Sequence, residues 1–315
     1  MNHAVDDETK RRAYLEQMRR IIPRSEFHET WLAKTGELPP DFDALQSIPD
    51  LPDPLLREIG GRQVPLTTPE EWPQRREELK ALFHYWILGQ VPSPPDNLQA
   101  RILSEACEAG AIVREVELTF GAEHRAKLRL QLAIPSGVGP FPVFLTQHSH
   151  WAWALIALRR GYLACAYAGA DFRDDTDTFI PAYPGYDWSR LTRRAWAASR
   201  CIDYLATLPE VDTQRIAITG HSRNGKASLI ASALDERIAL VISSSSGAGG
   251  SLPARYASEQ NFAEGIELLT RLMPPDWFHP RFRFFVGREQ KLPVDFHELV
   301  ALSAPRPCLL STAMN

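Results

Sequence analysis

Residues 215–226, Arg-Ile-Ala-Ile-Thr-Gly-His-Ser-Arg-Asn-Gly-Lys, constrain the fold more than any other stretch of the chain. Ile216, Ala217 and Ile218 form a short apolar, β-branched run, the pattern of a buried strand. Gly220 to Gly225 reads as a sharp turn. Lys226 to Leu234 reads as a helix rich in Ala and Leu. A Ser on a tight strand-to-helix turn exposes its hydroxyl at the edge of a sheet. The free N–H groups and positive dipole end of the helix then lie behind it. That layout suits a nucleophile for acyl transfer, here Ser222. The spacing is G-x-S-x-x-G, one residue longer than the common G-x-S-x-G.

The same residues admit a second reading. Gly220, four residues, Gly225 and Lys226 fit G-x-x-x-x-G-K, the opening of a phosphate-binding loop. That loop needs a hydroxyl next to ligate Mg²⁺, and position 227 is Ala. Ser228 points about 100° further round a helix. The following strand, around Val241-Ile242-Ser243-Ser244, brings no Asp to complete a metal site. A glycine-rich turn without chemistry is the third reading of this stretch taken alone.

The 315 residues suffice for one large α/β domain with an added N-terminal layer. A formal net charge of −4 offers no basic stripe, so nucleic acid is not an expected partner. Cys107, Cys165, Cys201 and Cys308 show no paired spacing, and without a C-x-x-C zinc is unsupported. Cys165 and Cys308 sit in apolar runs and read as small core residues. The first twenty residues are charged and lack an apolar h-region, so a secretory leader is not expected. No run of 18 apolar residues marks a membrane helix. The expectation is a cytoplasmic protein with reduced thiols and no cofactor. Nothing in the sequence fixes an oligomeric state.

Residues 6–21 carry charges at helical spacing. Residues 38–55 contain five Pro and read as an extended strap. Thr68, Pro69 and Glu71 form a capping-box start for a helix with Leu79, Leu82, Phe83 and Trp86 on its core face and Gly89 at its end. Val116–Phe120 and Leu128–Ile134 alternate apolar and polar residues, and the Gly121–His124 turn joins them as an antiparallel hairpin. Next come short, continuously apolar strands at Phe141–Leu145, Tyr162–Ala168, Ile216–Ile218, Leu240–Ser243 and Cys308–Ser311. Helices over 152–160, 190–207, 226–235, 257–272 and 296–303 separate most of them. The alternation predicts a mostly parallel sheet with helices on both faces, an antiparallel hairpin at one edge and an N-terminal helical extension. Active loops then fall at the strand carboxyl ends. The elbow follows the fifth strand in this count, where an α/β-hydrolase keeps its nucleophile.

The stretch Gly220-His221-Ser222-Arg223-Asn224-Gly225-Lys226 resembles the G-x-S-R-x-G-K elbow of the glucuronoyl esterases, carbohydrate esterase family fifteen, on the α/β-hydrolase fold. Further resemblance lies in Asp235-Glu236-Arg237, Ser246-Gly247-Ala248-Gly249-Gly250, Leu292-Pro293-Val294-Asp295-x-His297 and Ala304-Pro305-Arg306-Pro307. Thr68-Pro69-Glu70-Glu71-Trp72 with Arg75 and Arg76 is similar to the family's entry helix. The likeness spans roughly residues 68–315, which places the extension in 1–66 and the hydrolase domain in 67–315. It implies an esterase on carbohydrate-linked esters, with a small-molecule or oligosaccharide substrate. Ser222 matches the nucleophile. Arg223 matches the Arg that stabilises the oxyanion. Lys226 matches the Lys that contacts the sugar hydroxyls or the uronate. An acyl-transfer site needs a nucleophile with cationic or N–H donors where negative charge develops, and these residues supply both.

Two departures from the family are visible. The catalytic acid often stands just before Ser-Gly-x-Gly-Gly, and here that position is Ser245. Other relatives place the acid after the strand following Ala-Pro-Arg-Pro, with the catalytic His further on. The expectation is therefore a domain lacking its C-terminal acid and His segment, a fragment in preference to an evolved silent relative. His148 and His150, after the Phe141–Leu145 strand, are the candidates for lining the substrate cleft. His221 is expected to point back beneath the sheet, packed or hydrogen-bonded. Asp295 and His297 are expected to cap and hydrogen-bond locally. Asp171, Asp174, Asp175 and Asp177 read as a solvated or Arg-paired loop; their spacing lacks the Gly and Glu of a calcium loop. Trp151, Trp153, Trp188 and Trp277 suit either sugar stacking or core packing. Outside enzymes, the alternative is a silent carbohydrate-binding relative.

Overall fold

The structure is a computed structural model and describes residues 2–257, 264–271 and 276–312. The chain divides into two compact units, residues 1–89 with 247–301, and 90–246 with 302–315.

The second unit holds an eight-stranded sheet. Its strands are β1 (Gln99–Glu108), β2 (Ala111–Phe120), β3 (Ala126–Ile134) and β4 (Phe141–Gln147). The rest are β5 (Leu163–Tyr167), β6 (Val211–His221), β7 (Leu240–Ser244) and β8 (Cys308–Ser311). Their spatial order is β8-β7-β6-β4-β5-β3-β2-β1. Strands β8, β7, β6, β4 and β5 run parallel, and β3, β2 and β1 continue the sheet antiparallel. This is the α/β-hydrolase architecture expected from the alternation. Strand β5 reads as a continuous apolar run because both of its faces are covered: all five of its residues are buried, whereas Leu309 and Leu310 of the edge strand β8 are exposed. In β2 the expected alternation holds, with Val116, Leu118 and Phe120 fully buried.

The count of strands before the elbow needs correction. Within this sheet Ser222 follows the sixth strand in chain order, not the fifth, since Gln99–Glu108 is also a strand. Every residue of β1 is exposed, so it carries no apolar period to read. It pairs with β2 through Ala109 and Gly110, with φ of 49° and 80°, the two-residue turn that suits a twisted hairpin. A bulge between Ile102 and Ser104 bends this edge strand, a common defence against edge pairing. Strand β6 lies inside the sheet, flanked by β4 and β7. The helices Trp151–Leu158, Arg190–Leu205 and Arg223–Leu234 pack against strands of this sheet.

The first unit contains helices Asn2–Ile21 and Glu26–Thr35, the strap, and a small hairpin Leu56–Ile59/Arg62–Pro65. The second helix and the hairpin had no counterpart in the sequence reading. The entry helix starts as read: the Thr68 N–H donates to Glu71 Oε2 at 2.9 Å, and Trp72–Phe83 continues into a wider turn, His84–Leu88. Leu79 and Phe83 are its fully buried residues. Of the helix expected at 257–272, only Ile266–Leu269 is seen, and 258–263 and 272 lie outside the described residues. Asp295 is fully buried. It accepts the N–H groups of Ala254 (2.7 Å) and Phe296 (2.7 Å) and pairs with Arg255 Nη1 at 2.9 Å. Its own N–H donates to Glu298 Oε2 at 3.0 Å, so Asp295 and Glu298 cap helix Phe296–Ala301. His297 Nε2 meets the Pro52 carbonyl at 2.6 Å. Asp295 thus caps the helix, and His297 ties it to the strap.

Burial pushes the Glu298 carboxyl from 4.5 up to about 8, against the opposing pull of the Asp295 N–H and Arg75. A raised folded pKa means the native state holds this proton while the unfolded chain has lost it. Stability therefore falls as pH rises from about 4.5 towards about 8. We expect the unfolding free energy of the wild type, measured by urea titration, to decline across that window by up to about 1 kcal/mol per pH unit. Glu298→Gln should remove this share of the decline; a variant with an unchanged pH profile would refute the assignment. A second prediction concerns the elbow. A Cβ on Gly220 would lie 2.3 Å from the main-chain oxygen of Asn224. Gly220→Ala is expected to cost about 1–3 kcal/mol or more, read by chemical denaturation, since backbone cannot yield as a side-chain tip can.

Candidate active site

Strand β6 ends at His221, and Arg223 begins the next helix. Between them Ser222 has φ 55° and ψ −122°, a left-handed backbone that a residue with a side chain adopts under strain. Two bonds hold it. Its N–H donates to the Ser244 carbonyl at the end of β7 (2.9 Å), and its carbonyl accepts the Lys226 N–H (3.0 Å). The turn is tight enough that two glycines are obligatory. A Cβ at Gly225 would stand 3.0 Å from the Ser244 carbonyl and 3.1 Å from that of Gly220. Ser222 itself is exposed.

Arg223 is half-exposed and paired with Asp171. The acidic loop is Arg-paired. Asp171 also binds Arg194, Asp174 binds Arg194 and Arg190, and Asp177 binds Arg190 and Arg193. Asp175 accepts the Arg129 N–H at 2.8 Å.

Lys226 departs from the expected contact with substrate. It is 2% exposed, and its ammonium donates to the Ser246 carbonyl at 2.6 Å. The side chain folds inward from the first turn of the helix. A phosphate loop would need this Lys aimed at its ligand and a hydroxyl at 227, so that reading is set aside.

His150 lies against the elbow. Its Nε2 accepts the His221 N–H at 3.3 Å and faces Asn224 Nδ2 at 3.1 Å. With two donors on Nε2, the ring is neutral and carries its proton on Nδ1. Burial, then the neighbouring His221, holds its pKa below the ordinary value. The ring stacks on Trp153 at 4.5 Å. His148 is also neutral: Nε2 meets Arg173 Nη1 at 2.5 Å, and burial and that guanidinium depress its pKa. His221 corrects the expectation of a ring tucked beneath the sheet. It is exposed, with Nδ1 3.2 Å from Ser244 Oγ.

Ser245 has φ 45°, and its N–H donates to the Ser311 carbonyl at 2.6 Å. Among the described residues no side chain is hydrogen-bonded to Ser222 Oγ. Trp188 and Trp277 are buried core residues, whereas Trp153 is 36% exposed. Asn224 and Ser149 were missed by the sequence reading. Asn224 Nδ2 donates to Ser149 Oγ at 2.9 Å, tying the loop after β4 to the elbow helix. Its position as the third variable residue of G-x-S-x-x-G was the available signal.

Residues 118–314 match the family model described as glucuronyl esterase, fungi. A carbohydrate esterase of an unknown prokaryotic organism is 30% identical, over 84% of this chain and 72% of its own length. A 4-O-methyl-glucuronoyl methylesterase of Phanerochaete chrysosporium is 31% identical over 81% of this chain, which spans 55% of that relative's length. Among solved structures, a promiscuous esterase of carbohydrate esterase family 15 from a marine bacterial metagenome superposes with a TM-score of 0.71. It is 26% identical and is matched over 87% of this chain and 81% of its own. With the strained Ser222 elbow and the sheet order that carries it, these matches show that the chain belongs to the glucuronoyl esterases, carbohydrate esterase family 15.

Proposed function

We propose that the protein is a serine ester hydrolase whose substrates are carbohydrate esters, uronate esters first and acetyl esters second. The observation that carries this reading is the strained, exposed Ser222 between β6 and its helix, followed directly by Arg223. The names of the relatives support a uronate ester as substrate. In this mechanism Ser222 Oγ attacks the ester carbonyl and forms a tetrahedral oxyanion. The alcohol leaves with a proton, and water then releases the uronate from the acyl-enzyme. The N-terminus of helix Arg223–Leu234 and the Arg223 guanidinium stabilise the oxyanion. Lys226, buried one turn into the helix, adds positive charge behind the elbow. His148 and His150 line the cleft on the side of β4, and the sugar part of the ester sits there.

A second reading is favoured by Ser245 and by the absence of a hydrogen-bonded base on Ser222 among the described residues. It is a carbohydrate-binding relative that recognises the uronate without turnover.

Hydrolysis of methyl glucuronate and p-nitrophenyl acetate separates the two. The hydrolase reading expects turnover that Ser222→Ala lowers by at least about 10³-fold. Saturable glucuronate binding without Ser222-dependent release of methanol would overturn it in favour of the binding protein. Arg223→Ala is expected to lower kcat by about 10²–10³-fold with KM little changed, since an oxyanion contact is made only in the transition state. A rise in KM at constant kcat would instead assign Arg223 to ground-state binding.

A further inference from the structure

We propose that Asp171 is a positioning residue: its carboxylate bridges the Arg223 guanidinium to Arg194, which holds Arg223 in one place beside the nucleophile. The inference rests on the hydrolase reading of Ser222 and names what fixes its oxyanion donor.

Arg223 is a long, half-exposed side chain, and such a chain in water samples many rotamers. A lone surface carboxylate would restrain it weakly. Asp171 is more than that, because its two oxygens serve two different guanidinium groups. Oδ2 takes Arg223 Nη1, and Oδ1 takes Arg194 Nη1 at 3.0 Å. Arg194 is fully buried, and its Nε and Nη2 reach Asp174 Oδ2 at 2.9 and 2.8 Å. Asp174 is fixed in turn by the Thr176 N–H at 3.0 Å and Thr176 Oγ1 at 2.5 Å. Positive and negative groups thus alternate from the interior outward, ending on the residue after the nucleophile.

The backbone of Asp171 is fixed as well. It opens the two-residue turn between the paired segments Gly169–Ala170 and Arg173–Asp174. A Cβ on Gly169 would stand 2.6 Å from the Tyr167 ring, so the approach to that turn is closely packed. A guanidinium has five N–H donors, so anchoring through Nη1 is compatible with donation to an oxyanion from another nitrogen. Without the carboxylate, Arg194 and Arg223 would face each other as like charges. Asp171→Asn keeps the shape and removes the charge.

The test is the second-order rate at which a p-nitrophenyl alkylphosphonate labels Ser222, read by p-nitrophenolate release and intact mass. The phosphonyl oxygen stands in for the oxyanion, so the rate reports Arg223 in place. Asp171→Asn is expected to slow labelling at least about tenfold, within the range for losing one oxyanion donor. Asp171→Glu should recover part of the loss. In ester turnover the loss should fall on kcat, with KM within about twofold. In an Arg223→Ala background, Asp171→Asn should change the rate by less than about twofold, because its partner is gone. Undiminished labelling of Asp171→Asn overturns the inference and leaves the hydrolase reading standing. An equal loss with and without Arg223 overturns it in favour of a purely structural ion pair. A wild type that does not label at Ser222 removes the hydrolase reading, and this inference with it.

Discussion

The backbone of Gly220 passes so close to the main-chain oxygen of Asn224 that one methyl group would overlap it. The site depends on that contact. It lets β6 turn directly into a helix, and the turn drives Ser222 to positive φ. Strain of this kind costs about 1–3 kcal/mol and persists only when the surroundings over-determine it. Here they do. Strand β6 is locked between β4 and β7, the Ser222 N–H is held by the last residue of β7, and the helix begins at once. The exposed hydroxyl is thus a consequence of the interior of the sheet, not of a flexible loop.

The charge pattern of the elbow helix follows from the same geometry. A helix N-terminus is the positive end, so Arg223 and Lys226 stand where cations are disfavoured. Each is answered by an acceptor from outside the helix: Asp171 for Arg223, the Ser246 carbonyl for Lys226. At the other end a cation is welcome. Arg306 donates to the carbonyls of Ser232, Asp235, Ile238 and Leu302 and to Ser232 Oγ. Two of these acceptors, the carbonyls of Ser232 and of the C-cap Asp235, belong to the C-terminal end of the elbow helix. The Ala-Pro-Arg-Pro stretch is structural in this fold. It anchors the far end of the helix whose near end carries the nucleophile.

What was legible in the sequence was what short-range chemistry dictates. Strand β5 announced itself as an unbroken apolar run because both of its faces are covered, while β8 shows the same kind of run at an exposed sheet edge. The elbow showed in its two glycines, each required by a close approach. The acidic loop was legible only as solvated or Arg-paired, because its partners Arg190, Arg193 and Arg194 are brought to it by the packing of helix Arg190–Leu205. Strand β1 was not legible, because an exposed edge strand has no buried face to impose a period. Lys226 looked like a solvent or ligand contact because its burial depends on Ser246, which arrives from beyond β7. His221 looked packed because strand alternation was extended one residue too far, past the point where the chain reverses.

The histidines show how little of the proton chemistry the elbow itself fixes. His150 sits closest to the turn in bonding terms, yet its Nε2 lone pair already receives the His221 N–H and Asn224. To take the Ser222 proton it would have to give up both bonds, and its depressed pKa makes it a poor base besides. His148 stands in the same position towards Arg173. These rings are better used as fixed walls, kept neutral by the donors that face them. Ser245 brings a hydroxyl to a left-handed turn whose N–H is bound to β8, and a hydroxyl has no charge with which to support an imidazolium. The geometry of Ser222 nonetheless owes nothing to any of them. The placement of Ser222 is set by Gly220, Gly225 and the β6–β7 pair, and that of Arg223 by its pairing with Asp171. The backbone bonds and close approaches that hold this elbow would therefore stand with or without a base beside Ser222.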